Sequence, residues 1–214
     1  MVKAIIFDLD GTLVDSYPAI LESLNFTRET FGLSDVNLAD VKRMVGRGLE
    51  NLIRTAIGEK DLASGMEVFR NSYDKTHLTG SFLLPGVMET LQTLQQHSIP
   101  MAIASNKPAE YSKNILKHLG IDSFFVDCIG PEIAGKPKPD PAMIQYLLEH
   151  MHKSDTDTLY VGDMILDAET ARNAGVRLAL VSTGGNSYEE LKSLHPDYLL
   201  RSLSTFWETI NTSK

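Results

Sequence analysis

Five short apolar runs, at residues 4–9, 99–104, 124–129, 158–161 and 178–181, set the tightest limit on how this chain folds. They are nearly continuous rather than alternating, the pattern of strands covered on both faces, as in a parallel sheet. Helix-length segments at 86–97, 109–119, 141–150 and 165–174 separate the later runs. Strands and helices alternating at these lengths build right-handed βαβ units, so the spacing predicts an α/β, doubly wound, mostly parallel sheet with helices on both faces. A short run at 198–200 and a last helix near 204–210 are expected to close one edge.

One stretch breaks the alternation. After the first run the chain stays away from the sheet for about ninety residues. Within that stretch Ile20, Leu24, Thr27 and Phe31 recur at helical spacing, as do Leu49, Leu52, Ile53, Ala56 and Ile57. Met66, Phe69 and Tyr73 continue the pattern, and Gly32 and Gly58 stand where helices would end. The expectation is an all-helical insert over 17–80, carried by a core made of 1–16 and 81–214. Two crossings join them, the second through Phe82-Leu83-Leu84-Pro85-Gly86.

Composition narrows the partners. With 20 Lys+Arg against 28 Asp+Glu the chain carries a formal charge of −8, which disfavours a nucleic-acid backbone or an anionic membrane. A small anionic substrate stays open, because a site can reverse the global sign locally. The 43% hydrophobic content suits a globular body. Cys128 is the single cysteine, so a disulfide scaffold is excluded. No run approaches the ~18 apolar residues of a membrane span. Met-Val-Lys-Ala-Ile-Ile-Phe-Asp reaches a charge too soon for a signal peptide. A cytoplasmic protein is expected; its oligomeric state is not legible.

Ligands of open α/β sheets sit beyond the carboxyl ends of the strands. Those ends read Asp8-Leu9-Asp10-Gly11-Thr12, Ser105-Asn106-Lys107, Gly135-Lys136-Pro137-Lys138-Pro139 and Gly162-Asp163-Met164-Ile165-Leu166-Asp167. Asp8 and Asp10, two apart, address one face. Two bare carboxylates ~4 Å apart repel by about 4 kcal/mol at an effective dielectric near 20, so the pair calls for a cation. Oxygen ligands suit Mg²⁺, which binds few carboxylates and keeps water and phosphate in its shell.

In this order the four motifs resemble the haloacid dehalogenase-like superfamily, in particular its Mg²⁺-dependent phosphatases with a helical cap and a Rossmann-like core. The insert, the Gly46-Arg47-Gly48 turn and the stretch 163–175 look most like the phosphoglycolate phosphatase branch. The resemblance implies a small phosphorylated metabolite as substrate. It makes Asp8 the nucleophile that forms an aspartyl-phosphate, and Asp10 the acid–base, its backbone carbonyl also facing the metal. Asp163 resembles the third metal ligand, beside Asp8 and Asp10. Asp167 is read as supporting the metal or as a helix N-terminal charge. Ser105 and the Asn106 N–H are placed on a phosphoryl oxygen. Lys136 is preferred over Lys138 as the phosphoryl clamp, because the family pattern sets its lysine before the first proline. Arg47 is the candidate contact for a substrate carboxylate.

Inorganic pyrophosphatase and phosphosugar phosphatase or mutase activities of the same superfamily are the nearest alternatives. A mutase usually carries a histidine where this chain has Tyr17-Pro18-Ala19-Ile20. A dehalogenase would lack Asp10. From another class, a phosphate-sensing or interaction module would be expected to lose Asp10 or the lysine. His150 and His152 fall on different helix faces, which disfavours zinc.

Overall fold

In the computed structural model, which describes residues 2–212, the first strand β1 (Ala4–Phe7) lies at the centre of a six-stranded parallel sheet. Two short strands, β2 (Val14–Asp15) and β3 (Phe82–Leu83), pair antiparallel beside it. The remaining sheet strands are β4 (Met101–Ala104), β5 (Phe125–Ile129), β6 (Thr158–Gly162), β7 (Arg177–Val181) and β8 (Tyr198–Leu200). Their order is β5-β4-β1-β6-β7-β8. The chain builds outward from β1 to β5, then returns and builds outward again from β6, so the direction switches between β1 and β6. A doubly wound sheet opens its ligand crevice at that switch.

Alternation along each strand divides the core in two. Ile5 and Phe7 face one layer with Val87, Leu91, Leu94, Ile115 and Phe206. Ile6 faces the other with Met143, Ile144, Ala168 and Ala171. The first layer is closed by α5 (Val87–Gln96), α6 (Ala109–His118) and α11 (Phe206–Thr212). The second is closed by α8 (Ala142–Met151) and α9 (Ile165–Ala174), where the small residues Ala168 and Ala171 are fully buried against the sheet. Two shorter helices, α7 (Pro131–Ala134) and α10 (Tyr188–Lys192), sit in the connections.

The excursion after β1 forms α1 (Tyr17–Thr30), α2 (Leu38–Met44), α3 (Leu49–Ile57) and α4 (Leu62–Thr76). These helices share an apolar core of their own, including Ile20, Leu24, Val41, Ile53, Phe69 and Tyr73, and α2–α4 form a cap. Helix α2 has no apolar stripe in the sequence because Val41 is its one fully buried residue. It is started by Asn37, whose Oδ1 accepts from Asp40 N at 3.0 Å. The β2–β3 pair ties the outgoing and returning crossings together, Val14 against Leu83 and Asp15 against Phe82. It is too short for its alternation to register in the sequence.

Candidate active site

Beyond Phe7, Asp8 extends the ladder by one bond, its N–H donating to Val161 O at 2.8 Å. The chain then turns sharply, with Leu13 N and Val14 N both donating to Leu9 O. This sets the Asp8 carboxylate at the crevice mouth with only 5% of the residue exposed. Asp163 leaves the neighbouring β6 at the same level and is fully buried. Its Oδ1 accepts from Thr12 Oγ1 at 3.0 Å and its Oδ2 from Gly185 N at 2.9 Å. Gly184 packs so closely there that a Cβ would stand 1.8 Å from Asp163 Oδ2, so that position admits only glycine.

Asp167 is doubly employed. From the first turn of α9 its Oδ2 accepts from Asp163 N at 3.1 Å and Met164 N at 3.0 Å, capping the helix. Its Oδ1 faces inward and accepts from Lys138 Nζ at 2.8 Å and Tyr160 OH at 3.0 Å. The helix N-terminal reading of Asp167 is thus what its Oδ2 does, while its Oδ1 stands among the buried acids.

The structure places Lys138, not Lys136, at the carboxylates. Lys138 Nζ lies 3.0 Å from Asp8 Oδ1 and its side chain is 2% exposed. Lys136 is 68% exposed and pairs with Asp140, four residues further along the loop, at 3.1 Å. The physical reason is Asn106. Its Oδ1 accepts from Lys138 N at 2.8 Å and its Nδ2 donates to Lys138 O at 3.2 Å, pinning that residue's backbone below the crevice. The same Nδ2 donates to Gly46 O of the cap at 2.8 Å. The Asn106 side chain is thus spent on positioning, while Ser105 is buried beside it.

Asp10 turns away from the other acids. Its Oδ1 accepts from Ser16 Oγ at 2.5 Å and from Lys107 Nζ at 2.7 Å. Lys107 also donates to the hydroxyl of Tyr73 in α4 at 2.7 Å, linking cap to acid–base candidate. Lys107 stands in the Ser105-Asn106-Lys107 motif, but nothing in the spacing foretells a partner on a cap helix.

Arg47 is not in the crevice. The α2–α3 turn presents Val45, Gly46 and Gly48 to a cavity of about 80 Å³ with Asp8, Asp10, Ser105, Lys107 and Lys138. Arg47 itself is exposed and lines a separate outer groove of about 700 Å³ with Lys42, Asn186 and Glu190. The cation that α4 brings to the inner cavity is Arg70.

The electrostatics follow from burial. Desolvation raises the Asp8 carboxyl from 3.8 to about 6; Lys138 opposes the rise, and Asp167 and Asp10 add to it. Desolvation, then Asp167 and Asp8, hold Asp163 well above the usual carboxylate range. Burial alone would lower Lys138, but Asp167 and Asp8 outweigh it and keep the ammonium charged. Asp8, Asp163 and Asp167 each offer an oxygen within 4.8 Å of the others, the one such cluster among the described residues. Asp8 Oδ1 is buried, and the Lys138 ammonium at 3.0 Å is the one cation that faces it among the described residues. Hard, converging oxygen donors short of positive charge fit a divalent cation, and Asp10's carboxylate is outside that trio.

Residues 5–181 match the haloacid dehalogenase-like hydrolase family. The chain belongs to that family. The hydrolase is 33% identical to a phosphoglycolate phosphatase of Vibrio parahaemolyticus, over 99% of this chain and 97% of that one. It is 34% identical to one from Rhodobacter capsulatus, over 86% of each. The crystal structure of a predicted phosphoglycolate phosphatase from Haemophilus somnus superposes with a TM-score of 0.89 at 27% identity, over 97% of both chains. The hydrolase is accordingly a phosphoric monoester hydrolase with the α/β core and helical cap of its family. No helix among its described residues is long and apolar enough to cross a membrane.

Proposed function

We propose that this hydrolase cleaves small phosphate monoesters with Mg²⁺ and an aspartyl-phosphate intermediate on Asp8, and that its substrate is phosphoglycolate or a close relative. The observation that carries the reading is Asp8 itself, a buried carboxylate beside one buried lysine and two further acids at the switch point of the sheet. The match to phosphoglycolate phosphatases from several bacteria supports the substrate. The cap is taken as residues 17–80.

Asp8 attacks phosphorus and the ester oxygen leaves with a proton from Asp10. Asp10, freed of that proton, then takes one from the water that splits the acyl phosphate and regenerates Asp8. Lys107 and Ser16 orient Asp10 for both transfers. Lys138 holds charge on the phosphoryl oxygens, and Ser105 contributes a hydroxyl at the same strand-end level. Asp8, Asp163 and Asp167 would hold Mg²⁺, with the Asp10 carbonyl also facing it; bound there, the ion supplies charge neutralisation for the phosphoryl group. Assays with phosphoglycolate, pyrophosphate and β-glucose 1-phosphate test the substrate. Phosphoglycolate is expected to lead in kcat/KM by more than about tenfold, or 1.4 kcal/mol of transition-state binding. A lead for either of the other two would replace this reading.

The acid cluster also gives stability a distinctive pH dependence. Asp8 rises from 3.8 unfolded to about 6 folded, so between those values the folded state binds more protons. Its contribution is present at low pH and lost as pH climbs through about 6, and Asp163 acts in the same sense. The partly exposed acids Asp140 and Asp157 shift the opposite way but are screened by solvent. In EDTA, Tm is expected to fall as pH rises across this window. Mg²⁺ is expected to raise Tm more at pH 7 than at pH 5, because its ligands are then ionised. A Mg²⁺ shift independent of pH would contradict the assignment of the trio to the metal.

A further inference from the structure

The inner cavity has an apolar wall and a small number of cations with different duties. Ile20 from α1, Leu49 and Leu52 from α3, and Phe69 from α4 are the cap's apolar contribution to the lining that Asp8 shares. Of the three cations lining it, Lys138 is committed to Asp8 and Asp167, and Lys107 to Asp10 and Tyr73. Arg70 is the third; it is exposed yet lines the cavity, and among the described residues no ion pair or hydrogen bond engages it. Its helical neighbour one turn on, Asp74, is taken instead by the Tyr111 hydroxyl at 2.5 Å. The Arg70 guanidinium still lies within electrostatic reach of Tyr111, which lines the same cavity.

We infer that Arg70 reads a carboxylate on the leaving alcohol, and so sets this hydrolase's preference for acidic phosphate esters. The inference rests on the phosphoglycolate-like reading above and names the residue that enforces it. A substrate bound with its phosphoryl group at Asp8 directs its alcohol toward the cap. An acidic alcohol brings a negative charge close to Asp10, into a space whose other two cations are neutralised. Apolar walls cannot compensate that charge, and an unpaired guanidinium matches a carboxylate with two parallel hydrogen bonds. A neutral alcohol of equal size needs no such partner. Arg47, the residue singled out by sequence, cannot serve, since it faces the outer groove.

The test compares phosphoglycolate with 2-hydroxyethyl phosphate, in which a hydroxymethyl group replaces the carboxylate. The wild-type ratio of kcat/KM is expected to favour phosphoglycolate by at least about tenfold. Arg70→Leu is expected to collapse that ratio toward one, mainly through KM for phosphoglycolate, and Arg70→Lys to restore part of it. Glycolate as a product inhibitor should weaken in parallel. An equal loss on both esters in Arg70→Leu marks a structural role and overturns the inference. A wild-type enzyme that discriminates, with a variant that discriminates equally, overturns it while leaving the acidic-substrate reading intact. A wild-type enzyme that does not discriminate removes that reading and this inference together.

Discussion

Lys138→Met is expected to lower kcat by ~10³-fold or more, whereas Lys136→Met should stay within about twofold of wild type. The two lysines are separated by a single proline and differ in everything else. Lys138 is the one cation against Asp8 and Asp167 in a buried site. Without it two carboxylates face each other and the incoming phosphoryl oxygens with no fixed positive charge from the protein. Removing one partner of a buried pair costs on the order of 3–5 kcal/mol, so some stability will be lost as well. Lys138→Arg separates the effects: it keeps the charge and most of the fold, but a planar guanidinium does not reproduce a point charge 3.0 Å from Asp8 Oδ1. It should remain folded and strongly impaired. Lys136 pairs with Asp140 in solvent, an interaction of little energetic weight. Steady-state kinetics with thermal melts of the three variants distinguishes these outcomes, and equal losses from both methionine variants would refute the placement.

The sheet was legible because strands buried on both faces leave near-continuous apolar runs, and the four polar strand ends followed from the same reading. The site's wiring was less so, since each decisive contact spans distant segments. Whether Lys136 or Lys138 turns inward depends on Asn106, thirty-two residues before Lys138. The family pattern alone favoured the wrong side of the proline. Arg47 looked suited to a substrate on a Gly-flanked turn, but that turn meets the core through Gly46 and leaves its arginine outside. Tyr160 reads as one more apolar strand residue, yet its hydroxyl binds Asp167 and Lys138. Lys107 lies within a recognised motif while its partner Tyr73 is on a cap helix. Helix α2 and the β2–β3 pair bury too little for periodicity to show them.

Asp8→Asn carries the largest expected loss, on the order of 10⁴-fold or more in kcat, because an amide cannot accept the phosphoryl group. The substitution is nearly isosteric, so substrate access and the Asp8 N–H bond to Val161 should persist. It also removes one charge from a cluster where burial already raises the Asp8 carboxyl to about 6. The metal-free variant is therefore expected to melt no lower than the metal-free wild type at pH 7, which separates lost chemistry from lost folding. The direct test of phosphoryl transfer to Asp8 is turnover of phosphoglycolate by Asp8→Asn at saturating Mg²⁺, with melting recorded on the same preparation. A folded protein with turnover reduced by 10⁴-fold or more is the expected result; a folded protein turning over near the wild-type rate would contradict it.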